Sequence, residues 1–377
     1  MLAALILSVF TFNTTENLPI GLLKLISADM RVSLQSVGYL VTGYGVTVAV
    51  VSLPLAHVTR HLPRRYLLIG VLAVLFLASW VTAMAGSYRV LLVARVATAL
   101  GQALFWAVMG LVAVSLFSPS VRGRIIGVLS AGGSLATVLG VPAGTWLGQH
   151  SNWQAPFLVL SALALTALVV VGVLLPTTSP GEAHAAYGDS PDTRRFAIVL
   201  ATTTLSVTGA FTGFTYIAEF LHDVTGFSGN AVSAMLMVFG LAGFLGVTVT
   251  GPLLDRFPRA TLALPVAIQA VALLGMYAGG ENHAVTVAAL ALLGLAAAPI
   301  FMATQVRVLR LAPGRTEIAL AANSAAFNVG VALGALVGGL VLYALDVRGT
   351  FLIGGLLTIA AMVALVAERA LSPTERR

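Results

Sequence analysis

Apolar residues fall along this chain in blocks of about twenty, separated by short clusters of Arg, Pro, Gly and Ser. Leu67 to Ala85 and Phe157 to Leu175 each run nineteen residues without a charge, long enough to cross a ~30 Å hydrocarbon core as a helix. In lipid the backbone must satisfy its own hydrogen bonds, and runs of this length exceed a barrel strand, so every block reads as a helix. Twelve spans are expected, at about 2–26, 37–58, 66–86, 89–116, 124–147, 155–175, 196–220, 229–254, 260–279, 284–306, 317–343 and 350–368. The segment 176–195 carries three prolines and three acids and is the longest hydrophilic connection. It divides the chain into a six-helix unit, 1–175, and a second one, 196–377, with 176–195 as the linker.

The two halves repeat. A shift of 194 residues lays Gly140-Val-Pro-Ala-Gly144 on Gly334-Ala-Leu-Val-Gly338, and a shift of 195 lays Leu62-Pro63-Arg64 on Phe257-Pro258-Arg259. A duplicated six-helix unit with one insertion leaves such a trace, and chance matching of small residues is the competing account. Duplicated halves place a site near the bilayer midplane with rocking as the natural motion.

Composition sharpens this picture. Charged residues are 9% of the chain, the apolar set is 59% and mean hydropathy is +1.00, against roughly 25% charged for soluble domains. The chain reads as an all-α, multi-pass membrane protein. Leu2 to Phe12 lacks a preceding basic residue and continues past Glu16, so it reads as a first span rather than a signal peptide. Net charge is +7, and the basic residues sit in short loops, where topology accounts for them better than nucleic acid does. Of the twenty Lys and Arg, fifteen fall on one side, Lys24, Arg31, Arg89 and Arg348 on the other, and Arg95 inside a span. That bias predicts both termini in the cytoplasm. With no cysteine, no thiolate or cysteine metal site is available. No Gly-x-x-x-x-Gly-Lys sequence is present for ATP. An enzyme is disfavoured, and neither a metal nor an organic cofactor is expected.

The polar stretch Asn13-Thr14-Thr15-Glu16-Asn17-Leu18-Pro19 interrupts the first apolar block. An ionisable group at membrane depth costs at least ~2.5–3.5 kcal/mol and marks a pathway, a relay or a buried partner. Asn13, Glu16 and Asn17 share a helix face, and Pro19 leaves the carbonyl of Thr15 without its usual donor. Arg95 lies about six residues into the fourth span, ~9 Å deep at 1.5 Å per residue, a depth compatible with pairing to Glu16. Burial and a nearby cation act on a carboxyl in opposite senses, so a moving cavity could load and unload a proton there. Glu16 is therefore the candidate proton carrier with Arg95 as its tuner, a static ion pair and direct substrate binding being the other readings. Asn13, Asn17, Tyr44, Gln102, Trp106, Tyr216, Gln305, Asn323 and Asn328 are the candidate substrate-lining residues, though each amide could equally bridge helices. With Glu16 and Arg95 the only charges clearly inside apolar spans, a neutral or weakly polar ligand is favoured. Glu219 reads as a rim residue. Gly140, Gly144 and Gly148, and likewise Gly330, Gly334 and Gly338, form small-residue ridges for close helix packing, with Pro142 as a bend.

Phe12 to Leu23, Leu139 to Gly148 and Ala326 to Gly334 resemble the major facilitator superfamily. Within it they are similar to the bacterial drug:proton antiporter family, in its sugar efflux and chloramphenicol-resistance-like branch. The resemblance implies twelve helices in two pseudo-symmetric bundles, alternating access in a bacterial cytoplasmic membrane, and proton-driven export of small molecules such as drugs or sugars. Small solute, protons and lipid are then the partners, and a monomer is expected. Gly251-Pro-Leu-Leu-Asp255-Arg256-Phe-Pro-Arg259 resembles the signature loop, which implies a conformational latch of Asp255, Arg256 and Arg259. The corresponding loop after the second span has Arg60 where that pattern has its Asp. In the fourth span Arg95 is followed by Thr98 and Ala99 rather than the family's Gln-Gly step, with Gln102 later. Proton-coupled uptake of a small polar solute is the alternative to export.

Overall fold

The computed structural model describes residues 1–59, 62–116, 129, 132–175, 190–254, 256–257, 259–313 and 316–370. Helices account for nearly all of these, and no strand occurs among them. The first half contains α1 (Leu2–Met30), α2 (Leu34–Thr59), α3 (Arg64–Ala83), α4 (Tyr88–Leu116), α5 (Val141–His150) and α6 (Ala155–Leu174). The second contains α7 (Thr193–Phe214), α8 (Ile217–Asp223), α9 (Gly229–Thr250), α10 (Ala260–Gly279), α11 (His283–Leu311), α12 (Thr316–Ala344) and α13 (Val347–Ala370). Ten helices among the described residues are long and apolar enough to cross a membrane. The 29-residue α1 is not one of them, because its Asn-Thr-Thr-Glu-Asn stretch dilutes its apolarity. The seventh expected span is broken at Thr215 and Tyr216 into α7 and α8. The start of the fifth span and most of the linker lie outside the described residues.

Two compact units result: Met1–Ala183 with Gly229–Met237, and His184–Ser228 with Val238–Arg377. They differ from the expected halves by residues 229–237, which join the first unit, where Ser233 donates to Gln149 Oε1 at 3.1 Å. In the first unit Leu5, Val9 and Phe12 of α1 pack with Leu68, Leu72 and Leu75 of α3, Phe105 of α4, and Ala164, Ala167 and Val171 of α6. In the second, Leu262 and Val266 of α10 pack with Ala296, Ile300 and Ala303 of α11 and Ala361 and Leu365 of α13.

The glycine ridges do the same work in both units. A Cβ on Gly140 would collide with Thr14 Oγ1, and one on Gly144 would sit 2.7 Å from Leu18 Cδ1. In the second unit a Cβ on Gly334 would lie 2.7 Å from the carbonyl of Thr208, and one on Gly338 would meet the carbonyl of Thr212. The 194-residue shift carries Thr14 to Thr208 and Leu18 to Thr212, so the contacts repeat along with the residues that make them. Backbones come this close only where no side chain intervenes. Before Pro142 the helix loosens into a π turn, Ala136–Gly140. Proline lacks the N–H that the carbonyl of Val138 would accept, and its ring pushes that carbonyl outward.

Candidate functional site

The polar strip on α1 sits where the sequence places it. Thr11, Thr14 and Thr15 are buried and return their hydroxyls to carbonyls four residues back, each at 2.7 Å, so they bring no unmet polarity to the helix contacts. Asn13, Glu16 and Asn17 share the half-exposed face. Asn17 Nδ2 donates to the carbonyl of Asn13 at 3.0 Å. The amide of Asn13 lies against Gly133, where a Cβ would come within 2.7 Å of Nδ2.

Phe12 on Phe105, ring centroids 4.3 Å apart, fixes the contact between α1 and α4. It brings Gln102 of α4 opposite Glu16, and Gln102 Nε2 donates to Glu16 Oε2 at 2.7 Å. Arg95, two turns away on α4, is only 1% exposed. Its Nη1 donates to the carbonyl of Thr15 at 2.7 Å and its Nη2 to the carbonyl of Glu16 at 3.0 Å. The first of these is the carbonyl that Pro19 leaves without a backbone donor. Tyr44 of α2 lies under the guanidinium, 4.5 Å from its ring centroid, a cation–π contact that supports a buried charge. Arg95 thus binds main chain at Glu16, whereas the depths of the two residues suggest a carboxylate pair. Three buried atoms in this cluster have no hydrogen-bond partner: Tyr44 Oη, Arg95 Nε and Gln102 Oε1. Leaving a buried polar atom unmet costs about 1–3 kcal/mol, which a stable fold tolerates where the atoms have other work.

The remaining expected lining residues divide by environment. Trp106 is 45% exposed, with its ring edge-on to Phe105 at 5.4 Å. Gln305 is half-buried on α11. Tyr216, Asn323 and Asn328 are buried, and their polar atoms serve the helices. Tyr216 donates to the carbonyl of Ala335 at 3.2 Å, and Asn328 donates to that of Ser324 at 2.9 Å. Asn323 accepts from Thr203 at 3.0 Å and donates to Thr304 at 3.4 Å, tying together α7, α11 and α12. Glu219 is 8% exposed, more enclosed than the rim position the sequence suggests, because residues 217–221 of the short α8 are all buried.

Of the latch, Asp255 lies outside the described residues. Arg256 is exposed with its guanidinium 5.4 Å from the Phe257 ring centroid, and Arg259 stands at the N-terminal boundary of α10 without a side-chain cap bond to it. A second charged cluster was missed by counting Glu16 and Arg95 as the only charges inside apolar spans. Glu368 Oε1 of α13 accepts from Arg307 Nη2 of α11 at 2.5 Å and from Arg195 Nε of α7 at 3.1 Å, with Arg307 and Glu368 both at most 5% exposed. The sequence signal was there: an acid in the last turn of an apolar helix, on the side where the arginines collect.

The site thus sets a half-buried acid and a buried guanidinium side by side on α1 and α4 of a helical bundle. The family model of the major facilitator superfamily matches residues 5–198 and again 196–377, and the chain belongs to that superfamily. Solved structures share its fold. A mutant of the nucleoside transporter NupG aligns with a TM-score of 0.77 and 13% identity over 97% of this chain and 98% of that one. The human organic anion transporter TETRAN aligns with a TM-score of 0.73 and 18% identity, over 97% and 98% of the two chains. A bacterial homolog of the human lysosomal transporter Spinster, in an inward-facing and unoccupied conformation, aligns at 0.72 and 15%, over 98% and 95%. The protein is a multi-pass membrane transporter with the major facilitator fold, not an enzyme.

Proposed function

We propose that the protein is a proton-coupled exporter of small neutral or weakly polar molecules, such as drugs or sugars, working by alternating access. The observation that carries this reading is the Glu16 carboxyl, held by one amide on the half-exposed face of α1 with a buried guanidinium beside its main chain. An acid kept for structure inside a helix bundle needs full pairing to offset its desolvation, and the Glu16 carboxylate has a single side-chain donor, Gln102. Glu16 is half-buried rather than fully enclosed, and on this reading the proton reaches it when the cavity beside α1 opens. Similarity of the first, fifth and eleventh spans to the bacterial drug:proton antiporters supports the same reading, and with it a bacterial cytoplasmic membrane, cytoplasmic termini and a monomer. Asn13 and Asn17, on the same open strip, are the first-half groups best placed to meet a solute, and the Asp255, Arg256 and Arg259 loop serves as a latch.

The energetics suffice. One proton moving down one pH unit supplies ~1.4 kcal/mol, and 100 mV of potential adds ~2.3 kcal/mol. Together they support a several-hundred-fold gradient of a neutral solute without ATP. The test is a panel of neutral sugars and neutral antibiotics in proteoliposomes containing the full-length protein, with an interior pH indicator. Export predicts that solute moving one way drives protons the other, whereas solute and protons moving together would replace export with uptake.

A further inference from the structure

Gln102 stands outside the arginine-centred pattern of the fourth span, yet it makes the side-chain hydrogen bond to Glu16, Nε2 to Oε2 at 2.7 Å. Its other end, Oε1, is buried and without a partner, in a side chain only 5% exposed. A primary amide carries two donors on one end and an acceptor on the other. An ionised carboxylate offers acceptors only, so it takes the Nε2 end. A carboxyl that has gained a proton has a donor to place, and the amide that already holds it carries a buried, unpaired acceptor, Oε1. The terminal torsion of Gln is broad and two-fold, so a half-turn exchanges the two ends with little change in shape.

We propose that Gln102 holds the Glu16 side chain in both of its protonation states, donating from Nε2 to the carboxylate and, after the amide turns over, accepting at Oε1 from the carboxyl. The proton itself comes from water and returns to it, forming and breaking the Glu16 O–H bond. Gln102 is a positioning residue: it keeps the carboxyl on one bearing throughout the cycle, so that gain or loss of charge and not a swing of the side chain is what the neighbouring helices feel. The titratable and charged groups that the described helices around α1 bring to this depth are Arg95 of α4, bound to main chain, and Tyr44 of α2. Toward the helix ends α2 also carries Tyr39 and His57, α3 carries Arg64, Arg65 and Tyr66 at its first turn, α4 carries Tyr88 and Arg89 at its first turn, α5 carries His150 at its last, and α6 has none. Among the described residues no second carboxylate lies at this depth on α1 to α6.

This inference rests on proton binding by Glu16, and its test separates the two. Infrared difference spectra of the full-length protein in proteoliposomes are recorded through a pH titration, the proton being the only ligand. A carboxyl band that disappears in Glu16→Gln is the band of Glu16; if that band is the same in the variant, Glu16 does not take up the proton and both readings fall. With the band assigned, wild-type protein is expected to show the low wavenumber of a hydrogen-bonded carboxyl, and Gln102→Met, which fills similar space without an amide, the higher one of a free carboxyl. The exchanged pair, Glu16→Gln with Gln102→Glu, is expected to bring back a bonded carboxyl band, now carried by α4. An unchanged band in Gln102→Met, or a free-carboxyl band in wild type, overturns the role of Gln102 while leaving Glu16 as proton carrier. Thermal unfolding of each variant verifies that the spectra come from folded protein.

Discussion

At the scale of single residues, the consequential one is Pro19. It removes a donor from Thr15, and the structure uses a buried guanidinium to replace it. That missing donor was legible in the sequence. The partner of Arg95 was not, because depth along two helices says nothing of the angle at which they face each other, and that angle decides whether a guanidinium meets a carboxylate or the chain behind it. For the same reason Gln102 read as a cavity residue, and Tyr216 and Asn323 could not be told from ligands by type alone. If Arg95 serves the carbonyls freed by Pro19, the two residues are coupled. Arg95→Gln is expected to destabilise the protein by ~2 kcal/mol, the range for hydrogen bonds from charged groups, and by less than half as much when Pro19→Ala has restored the backbone donor. Thermal unfolding of the two single variants and the double variant in detergent measures the difference, and equal losses in both backgrounds would dissolve the coupling.

At the scale of helices, hydrophobic runs located the spans well, since length and apolarity are local properties. The break between α7 and α8 escaped notice because the sequence there, Phe-Thr-Tyr-Ile, contains no proline or run of charge to mark it. The ridges Gly140-Gly144 and Gly334-Gly338 were legible as close-packing surfaces, and the structure adds what they touch: residues 14 and 18 of α1 and their counterparts 208 and 212 of α7. Glu368, Arg307 and Arg195 join three helices whose sequences lie far apart, so only the folded chain reveals the group. Removing one member of a buried ion pair leaves its partner's charge uncompensated, at a cost of about 3–5 kcal/mol. Glu368→Gln is therefore expected to lower the unfolding temperature clearly, and a variant as stable as wild type would show the cluster to be incidental.

At the scale of the whole molecule, the two halves repeat their glycine ridges but not their charges. The shift that matches the two ridges carries Glu16 to Ala210, so the acid belongs to one copy alone. The bias of basic residues predicts that loops ending at Leu62 and at Ser87 face opposite sides, and the absence of native cysteine makes this simple to check. In whole cells Ser87→Cys is expected to react with an impermeant maleimide and Leu62→Cys to react only after permeabilisation; the reverse would invert the orientation. The central claim is that Glu16 carries the proton that drives transport, and comparing two modes of transport by Glu16→Gln tests it most directly. In proteoliposomes, with any solute identified by the panel above, the variant is expected to keep exchange of labelled for unlabelled solute while losing accumulation under an imposed pH gradient. Gradient-driven accumulation at the wild-type level by that variant would contradict the account.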